Sequence, residues 1–458
     1  MKNLLLILVL ASAVFQMQGQ DQFSLEQAVA YGLTHHNEMK MNDLDYLSAE
    51  QTIKEFKSIA MPKVNGGVDY SYYLAVPQQP VEDFIGPAIY GVLFQEEVIP
   101  ARDLGAPETF ELAFVQPNVL TASLGANVQL FDGGYLYGLK AAKTYRELVR
   151  KERKQTEQSI IANVTKAYMA ILIAEKNKEV VSQNISVLEK SLSDIKAIYE
   201  NGLAESLDVD RIQLSLETLQ TQVINLDQLI QLSYNLLKFQ MNYPIDQIIS
   251  VSDNLETMVD KITVEEINLN EPVDVSNRAE FGVIEMGQQL NEIDYKRIKA
   301  GYLPTANAFV NLQQSLQRGN LFDNNEVGWL PTAVLGVNVN IPIYDGGMKS
   351  AQMETVKLKM QKTDLQKQDL SRAIQLQARN AQLSIINARN SVNNTKKTLD
   401  LSQKIYDKAK IKFNEGVGSS LELTQAEADL YQAQGNYINS LYELLDAKTD
   451  YNLTLAKN

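Results

Sequence analysis

Two stretches of this chain leave a polypeptide almost no alternative to helix. No proline occurs between Pro117 and Pro244 or after Pro342, and no glycine interrupts Leu139 to Asn201 or Met348 to Glu415. Proline breaks helix interiors and glycine weakens them. Each clean stretch therefore reads as one helix of roughly 65 to 70 residues, on the order of 100 Å long at 1.5 Å per residue. Within the second, Ile374, Ala378, Ala381, Ile385, Ala388, Val392, Thr395, Leu399, Ser402, Tyr406, Ala409 and Phe413 step alternately by four and three. The first repeats the rhythm at Val181, Ile185, Leu188, Leu192, Ile195 and Tyr199. That period is the seam of a left-handed coiled coil. After the first glycine turn Leu216, Leu219, Val223, Leu226, Ile230, Ser233 and Leu237 carry a seam back, so the long helices fold into antiparallel hairpins. Ala, Ser and Thr at many seam positions suit close packing of several helices side by side.

The chain is also a tandem repeat, which must be recognised before any fold is inferred. Phe131-Asp132-Gly133-Gly134 recurs as Tyr344-Asp345-Gly346-Gly347, and Tyr199-Glu200-Asn201-Gly202 recurs as Phe413-Asn414-Glu415-Gly416. Asn37-Glu38-Met39 through Met61-Pro62 matches Ala279-Glu280-Phe281 through Leu303-Pro304. The expected organisation is a leader at 1–20, a first repeat at 21–245, an equatorial segment between repeats at 246–273, and a second repeat at 274–458. Each repeat combines a helix, two strands and a long helical hairpin.

The strands are predicted near 63–76, 110–131, 303–317 and 331–344, where hydrophobicity alternates with period two. Val64, Val68, Tyr70 and Tyr72 oppose Asn65, Asp69 and Ser71, and Leu335, Val337, Val339 and Ile341 oppose Thr332, Asn338 and Asn340. The second and third segments alternate in the same way. Every apolar face is wide and free of charge. Aromatic residues, among them Tyr70, Phe110, Phe131, Trp329 and Tyr344, gather near the strand ends.

The first residues fit an exported protein. After Met1-Lys2-Asn3 an apolar run from Leu4 to Val14 gives way to small and polar residues through Gly19 and Gln20, the layout of a secretory signal peptide. No later segment offers the roughly 20 continuous apolar residues of a membrane-spanning helix, which leaves a barrel or a soluble periplasmic fate. Transmembrane strands need about 9 to 11 residues, apolar outward and polar inward. Four strands cannot close, and an open edge facing lipid costs several kcal/mol per unpaired backbone group. Three copies would supply about twelve strands and close the ring by symmetry.

Composition removes other classes. Cysteine is absent, so disulfides, thiolate metal sites, a cysteine nucleophile and a lipid anchor on an N-terminal cysteine are all excluded. A net charge of -14 opposes nucleic-acid binding. His35 and His36 are sequence neighbours and do not make the i, i+4 metal pair, and Gly346-Gly347-Met348-Lys349-Ser350 lacks the Gly-Lys pair of a phosphate-binding loop. No catalytic, metal or cofactor constellation is visible, and an enzyme is not expected.

Together the motifs resemble the TolC-like outer-membrane efflux protein family. The resemblance is carried by Phe23-Ser24-Leu25-Glu26-Gln27-Ala28, by Ala300-Gly301-Tyr302-Leu303-Pro304, by the paired Asp-Gly-Gly turns and by the paired tips Gly202 to Val209 and Gly416 to Leu423. It covers nearly the whole mature chain. It implies an α+β membrane protein in the outer membrane, a homotrimer whose helical hairpins form an α-barrel through much of the periplasm below a shared 12-stranded transmembrane β-barrel. It further implies a passive exit duct for small molecules, docked to a periplasmic adaptor (membrane fusion) protein that links it to an inner-membrane transporter. Protein secretion through the same architecture is an alternative, and a periplasmic helical scaffold or adaptor is one of a different class.

Two sets of residues are candidates for function. Gly202, Leu203, Ala204, Gly416, Val417 and Gly418 form the two exposed tips, where short side chains permit close approach of an adaptor; equally, the glycines simply end helices. Asp208 and Glu422 hold equivalent repeat positions one turn into the returning helices, two carboxylates per chain, with Gln425 one turn further on. They suit a periplasmic gate, since the resemblance implies acidic residues on these helices. They also suit helix capping, because Ser419-x-x-Glu422 reads as a capping box. The sequence departs from the family's gate pattern at Phe413, Gly418 and Gln425, where a tyrosine, an arginine and an acid can serve.

Overall fold

The computed structural model describes residues 21–106, 108–202, 204–264, 274–322 and 328–455. The expected leader at 1–20, the tip residue Leu203 and residues 265–273 of the expected equatorial segment lie outside the described residues. In chain order the elements are β1 (Asp21–Phe23), α1 (Leu25–His35), α2 (Asn37–Ile59), β2 (Lys63–Tyr72), β3 (Gln78–Glu82), α3 (Ile85–Gln95), β4 (Thr109–Ala113), β5 (Asn118–Phe131), α4 (Gly133–Glu200) and α5 (Ser206–Met241). There follow β6 (Ile249–Val251), α6 (Leu255–Val264), α7 (Ala279–Ala300), β7 (Thr305–Arg318), β8 (Leu330–Asn340), α8 (Met348–Asn414) and α9 (Ser420–Leu455). They fall into two compact units: Met1–Glu50, Lys143–Asn291 and Leu358–Asn458 form one, and Gln51–Ala142 with Glu292–Lys357 form the other.

The helical unit is built on the two hairpins. Helices α4 and α8 run 68 and 67 residues, about 100 Å each. Ile374, Ala378, Ala381, Ile385, Ala388, Val392, Tyr406 and Ala409 are all buried along the α8 seam. Toward the tips the buried residues form one cluster per hairpin, with Phe413 and Tyr431 of the second hairpin packed against both. Val181, Leu188, Leu192 and Ile195 of α4 cluster with Ile212, Leu216 and Leu219 of α5. Tyr406 and Ala409 of α8 cluster with Leu423, Ala426 and Leu430 of α9. Tyr199, expected on the first seam, is instead 46% exposed; the fully buried part of that cluster stops at Ile195 and Ile212.

Away from the tips one core joins all four helices, with Val164, Tyr168 and Ile171 of α4, Leu237 and Met241 of α5, Ile385 of α8, and Leu444 and Leu445 of α9. Ala28, Met39, Ile249 and Leu255 complete it. Strand β1 pairs in parallel with β6, Asp21 opposite Ile249. Beside that pair the Tyr168 hydroxyl lies 2.9 Å from the Phe23 carbonyl oxygen and 2.8 Å from Asp253 Oδ2, with one proton to share between them. A single buried hydroxyl thus ties the N-terminal strand to the segment between repeats.

The second unit holds an antiparallel four-stranded sheet in the order β2-β5-β7-β8. The register sets Val64, Ala126, Val310 and Leu335 in one row and Gly66, Leu124, Leu312 and Ala333 in the next. This face stays bare: Val64, Val68, Leu335 and Val337 are 65%, 73%, 79% and 63% exposed. The opposite face carries rows such as Gly67, Ser123, Gln313 and Thr332, although Phe309 and Val334 interrupt its polarity. The outer edges of β2 and β8 have no strand partner among the described residues.

Strand limits differ from expectation in three places. The first strand stops at Tyr72 rather than near residue 76. The stretch expected near 110–131 is two strands, β4 and β5, and β4 pairs with β3 in a hairpin of its own, Gln78 opposite Ala113. The connection from β2 to β5 thus carries structure of its own, β3, α3 and β4. The last strand ends at Asn340 instead of near residue 344, since Pro342 has no N–H to give a ladder.

The repeated Asp-Gly-Gly turns start the long helices, with a conserved task for Asp and divergent ones for Gly. Asp132 Oδ1 accepts from the Gly134 N–H at 2.7 Å, and Asp345 Oδ2 accepts from the Lys349 N–H at 3.1 Å. These bonds satisfy donors that a helix N-terminus leaves orphaned. Gly346 and Gly347 adopt φ of +68° and +82°, which side chains resist. Gly133 is instead needed for space, because a Cβ there would lie 2.9 Å from Leu303 Cδ1 and 3.1 Å from the Ala300 carbonyl oxygen.

Candidate functional site: the two hairpin tips

At both tips a left-handed glycine ends the outgoing helix, Gly202 at φ +69° and Gly416 at φ +74°. In the second, the Val417 and Gly418 N–H groups both donate to the Lys412 carbonyl at 3.0 Å. Gly418 allows no side chain, because a Cβ would sit 2.9 Å from Lys412 Cβ and 3.0 Å from the Phe413 nitrogen. An arginine is thereby excluded from this position with the turn as it stands. Val417 projects outward at 79% exposure, and Ala204 packs partly against the first hairpin's cluster.

The structure joins Asp208 to the other repeat. Ser420, 5% exposed at the first turn of α9, donates its hydroxyl to Asp208 Oδ1. Arg211 Nη1 donates to the same Ser420 oxygen at 3.1 Å. Asp208 Oδ2 also accepts from the Glu205 N–H at 3.2 Å as half of a capping box. One carboxylate therefore caps α5 and clasps the two hairpins together.

Glu422 and Gln425 are not drawn into this clasp. Lys412 Nζ reaches Glu422 Oε1 at 3.0 Å across the second hairpin, with both side chains half exposed. The Glu422 N–H donates to Ser419 Oγ at 3.1 Å, so the serine arm of the expected capping box is formed while the glutamate turns to the lysine. Gln425 Nε2 donates to Asp429 Oδ1 at 3.0 Å on an exposed face. The partners Arg211, Ser420 and Lys412 have no motif of their own. A hint lay in their positions within a turn or two of the tip glycines, but the pairing of residues 209 apart is tertiary.

The two histidines close a helix end. His35 Nδ1 lies 3.0 Å from the Tyr31 carbonyl oxygen with its ring stacked on Tyr31, and His36 Nδ1 accepts from the Glu38 N–H at 3.2 Å. Among the described residues no helix is long and apolar enough to cross a membrane.

Duplicated long hairpins joined to a four-stranded sheet that is apolar on one bare face define an outer-membrane channel protein. The model of the outer membrane efflux protein family matches residues 115–242 and 276–452, two thirds of the chain, and the protein belongs to that family. Its sequence is similar to outer membrane protein TolC of Salmonella enteritidis, 19% identical over 368 residues that cover 76% of this chain and 72% of that protein. The fold is similar to the crystal structure of CusC, with a TM-score of 0.74 and 12% identity over 97% of this chain and 95% of that one. It is also similar to the open state of the MtrE channel of Neisseria gonorrhoeae, with a TM-score of 0.70 and 14% identity over 94% and 88%. The protein is an efflux channel of the outer membrane with a large periplasmic portion; members of the family are channels and not enzymes.

Proposed function

We propose that three copies complete one duct, a passive exit for small molecules in a tripartite pump. The observation that carries this reading is the open sheet. Its free edges would leave backbone groups unpaired in lipid, and its apolar face is left bare among the described residues. Strands of 10, 14, 14 and 11 residues are long enough to cross the hydrocarbon layer. Joining β8 of one copy to β2 of the next removes every edge, and twelve strands fall within the range of known barrels. Light scattering in detergent, corrected for bound detergent, is expected to return about three chains. A stable barrel of one chain would overturn the assembly.

In this reading the tips face the periplasmic adaptor that connects the duct to an inner-membrane transporter. Gly202, Ala204, Gly416, Val417 and Gly418 form the contact, and Asp208, Glu422 and Gln425 belong to the aperture they surround. The exposed Val417 is the cleanest probe, since Gly418 cannot change without breaking its turn. Val417→Trp is expected to impair export in cells while assembly and membrane insertion persist. Export at the wild-type level would reduce the tips to helix turns.

A further inference from the structure

One acid is explained by neither the channel fold nor the tip contacts. Glu427 of α9 is 2% exposed, and neither of its carboxyl oxygens has a hydrogen-bond partner. The Tyr406 hydroxyl from α8 is buried and unpartnered in the same cluster. An ionised carboxylate buried without partners is expensive, so the packed state favours the neutral acid. Burial pushes its pKa up to about 7, against a pull downward from Lys410.

The surroundings contain little to oppose that. From α8, Glu427 faces Tyr406 and the cation Lys410, while Asp407 acts on Tyr406. From its own helix it faces Tyr431, whose hydroxyl burial also keeps neutral. From α5 come Leu214, Ser215, Thr218 and Leu219, none of them titratable. These α5 residues and Thr424, Ala428 and Tyr431 line a cleft of about 230 Å³ that Glu427 borders. A short exit to water therefore lies beside the buried acid.

We propose that Glu427 is a proton-operated latch on the second hairpin: the neutral acid lets α5, α8 and α9 pack closely, and the carboxylate moves out through the cleft and loosens the start of α9. That start carries Ser420 and Glu422, so the latch acts on the clasp as a positioning residue. The proposal rests on the reading of the tips as the closing end of the duct. The packed state holds a proton that the loosened state, with the acid in water, releases above about 4.5. Its advantage is full below that pH, falls as pH rises through about 7, and is constant above. Across that window the ratio of packed to loosened tips changes by on the order of a hundredfold.

Hydrogen exchange of the full assembly in detergent, corrected for the intrinsic pH dependence of exchange, measures the latch directly. Between about pH 5 and pH 8, residues 406–431 of the wild type are expected to lose protection by on the order of a hundredfold. Glu427→Gln, which keeps the shape of the neutral acid, is expected to stay protected throughout, and Glu427→Asp to restore a pH response. Identical profiles in wild type and Glu427→Gln overturn the proposal. If the glutamine variant does not assemble, Glu427→Asp decides: a profile shifted along the pH axis supports the latch and an unshifted one overturns it. A pH response in exchange with no matching change in channel current leaves the latch standing and counts against the tips as a gate.

Discussion

Ser420→Ala should raise the resting conductance of the channel in planar bilayers. The hydroxyl it removes bridges the Asp208 carboxylate and Arg211 between hairpins, at a position 5% exposed to water. A hydrogen bond to a charged group is worth about 1.5–3 kcal/mol, so each clasp lost shifts closed against open by roughly tenfold to a hundredfold. In a trimer three clasps give way together. The charges are tested separately. If Asp208 and Glu422 face the lumen, multivalent cations on the periplasmic side block the current, more strongly at low salt. The Asp208→Asn, Glu422→Gln pair should then relieve that block. Unchanged resting current in Ser420→Ala and equal block in the double variant would return these residues to helix capping and hairpin packing.

Leu335→Arg should abolish stable insertion, the second large effect. Leu335 shares its row with Val64, Ala126 and Val310 in the middle of the bare apolar face. An arginine on the lipid side of a barrel near its midplane costs about 2–4 kcal/mol, and symmetry imposes the cost three times. The expected readout is loss of the heat-modifiable band from the outer-membrane fraction. Asn338→Arg, on the opposite face of the same strand, is the control: insertion is retained and conductance or ion selectivity changes. Equal tolerance of both substitutions would mean that the bare face does not meet lipid.

Much of the architecture was legible in the sequence because its determinants are local and periodic. The four-and-three stepping from Ile374 to Ala409 needs only helix geometry to become a seam; its positions are buried from Ile374 to Val392 and again at Tyr406 and Ala409, and half-buried at Thr395, Leu399 and Ser402 between them. The long helices are marked by where proline and glycine are missing, and the strands by alternation such as Val64, Val68 and Tyr70. Duplication strengthened each signal by stating it twice. Local pattern misled where a partner was distant or a neighbour was special. Tyr199 keeps the heptad step but lies past the fully buried part of the seam, and the stretch near 110–131 hides a separate hairpin whose other strand lies about 30 residues upstream.

The tip chemistry was legible in part. Asp208 and Glu422 stood out as equivalent acids, and a symmetric role for them was the natural expectation. The fold separates them, because α9 brings Ser420 to Asp208 while Lys412 crosses its own hairpin to Glu422. Repeats specify the same backbone twice, yet the neighbours of each copy differ, so equivalent residues acquire unlike partners. Glu427 shows the limit most clearly. Next to the seam residue Ala426 it reads as one more surface acid of a coiled coil, and only the packing of α5 against α9 seals it from water. The sequence by itself determined helix length, hairpin pairing and strand alternation, since these follow from spacing along the chain. Which acids are clasped, paired or buried was decided by tertiary structure, because desolvation and hydrogen bonding depend on groups up to about two hundred residues away.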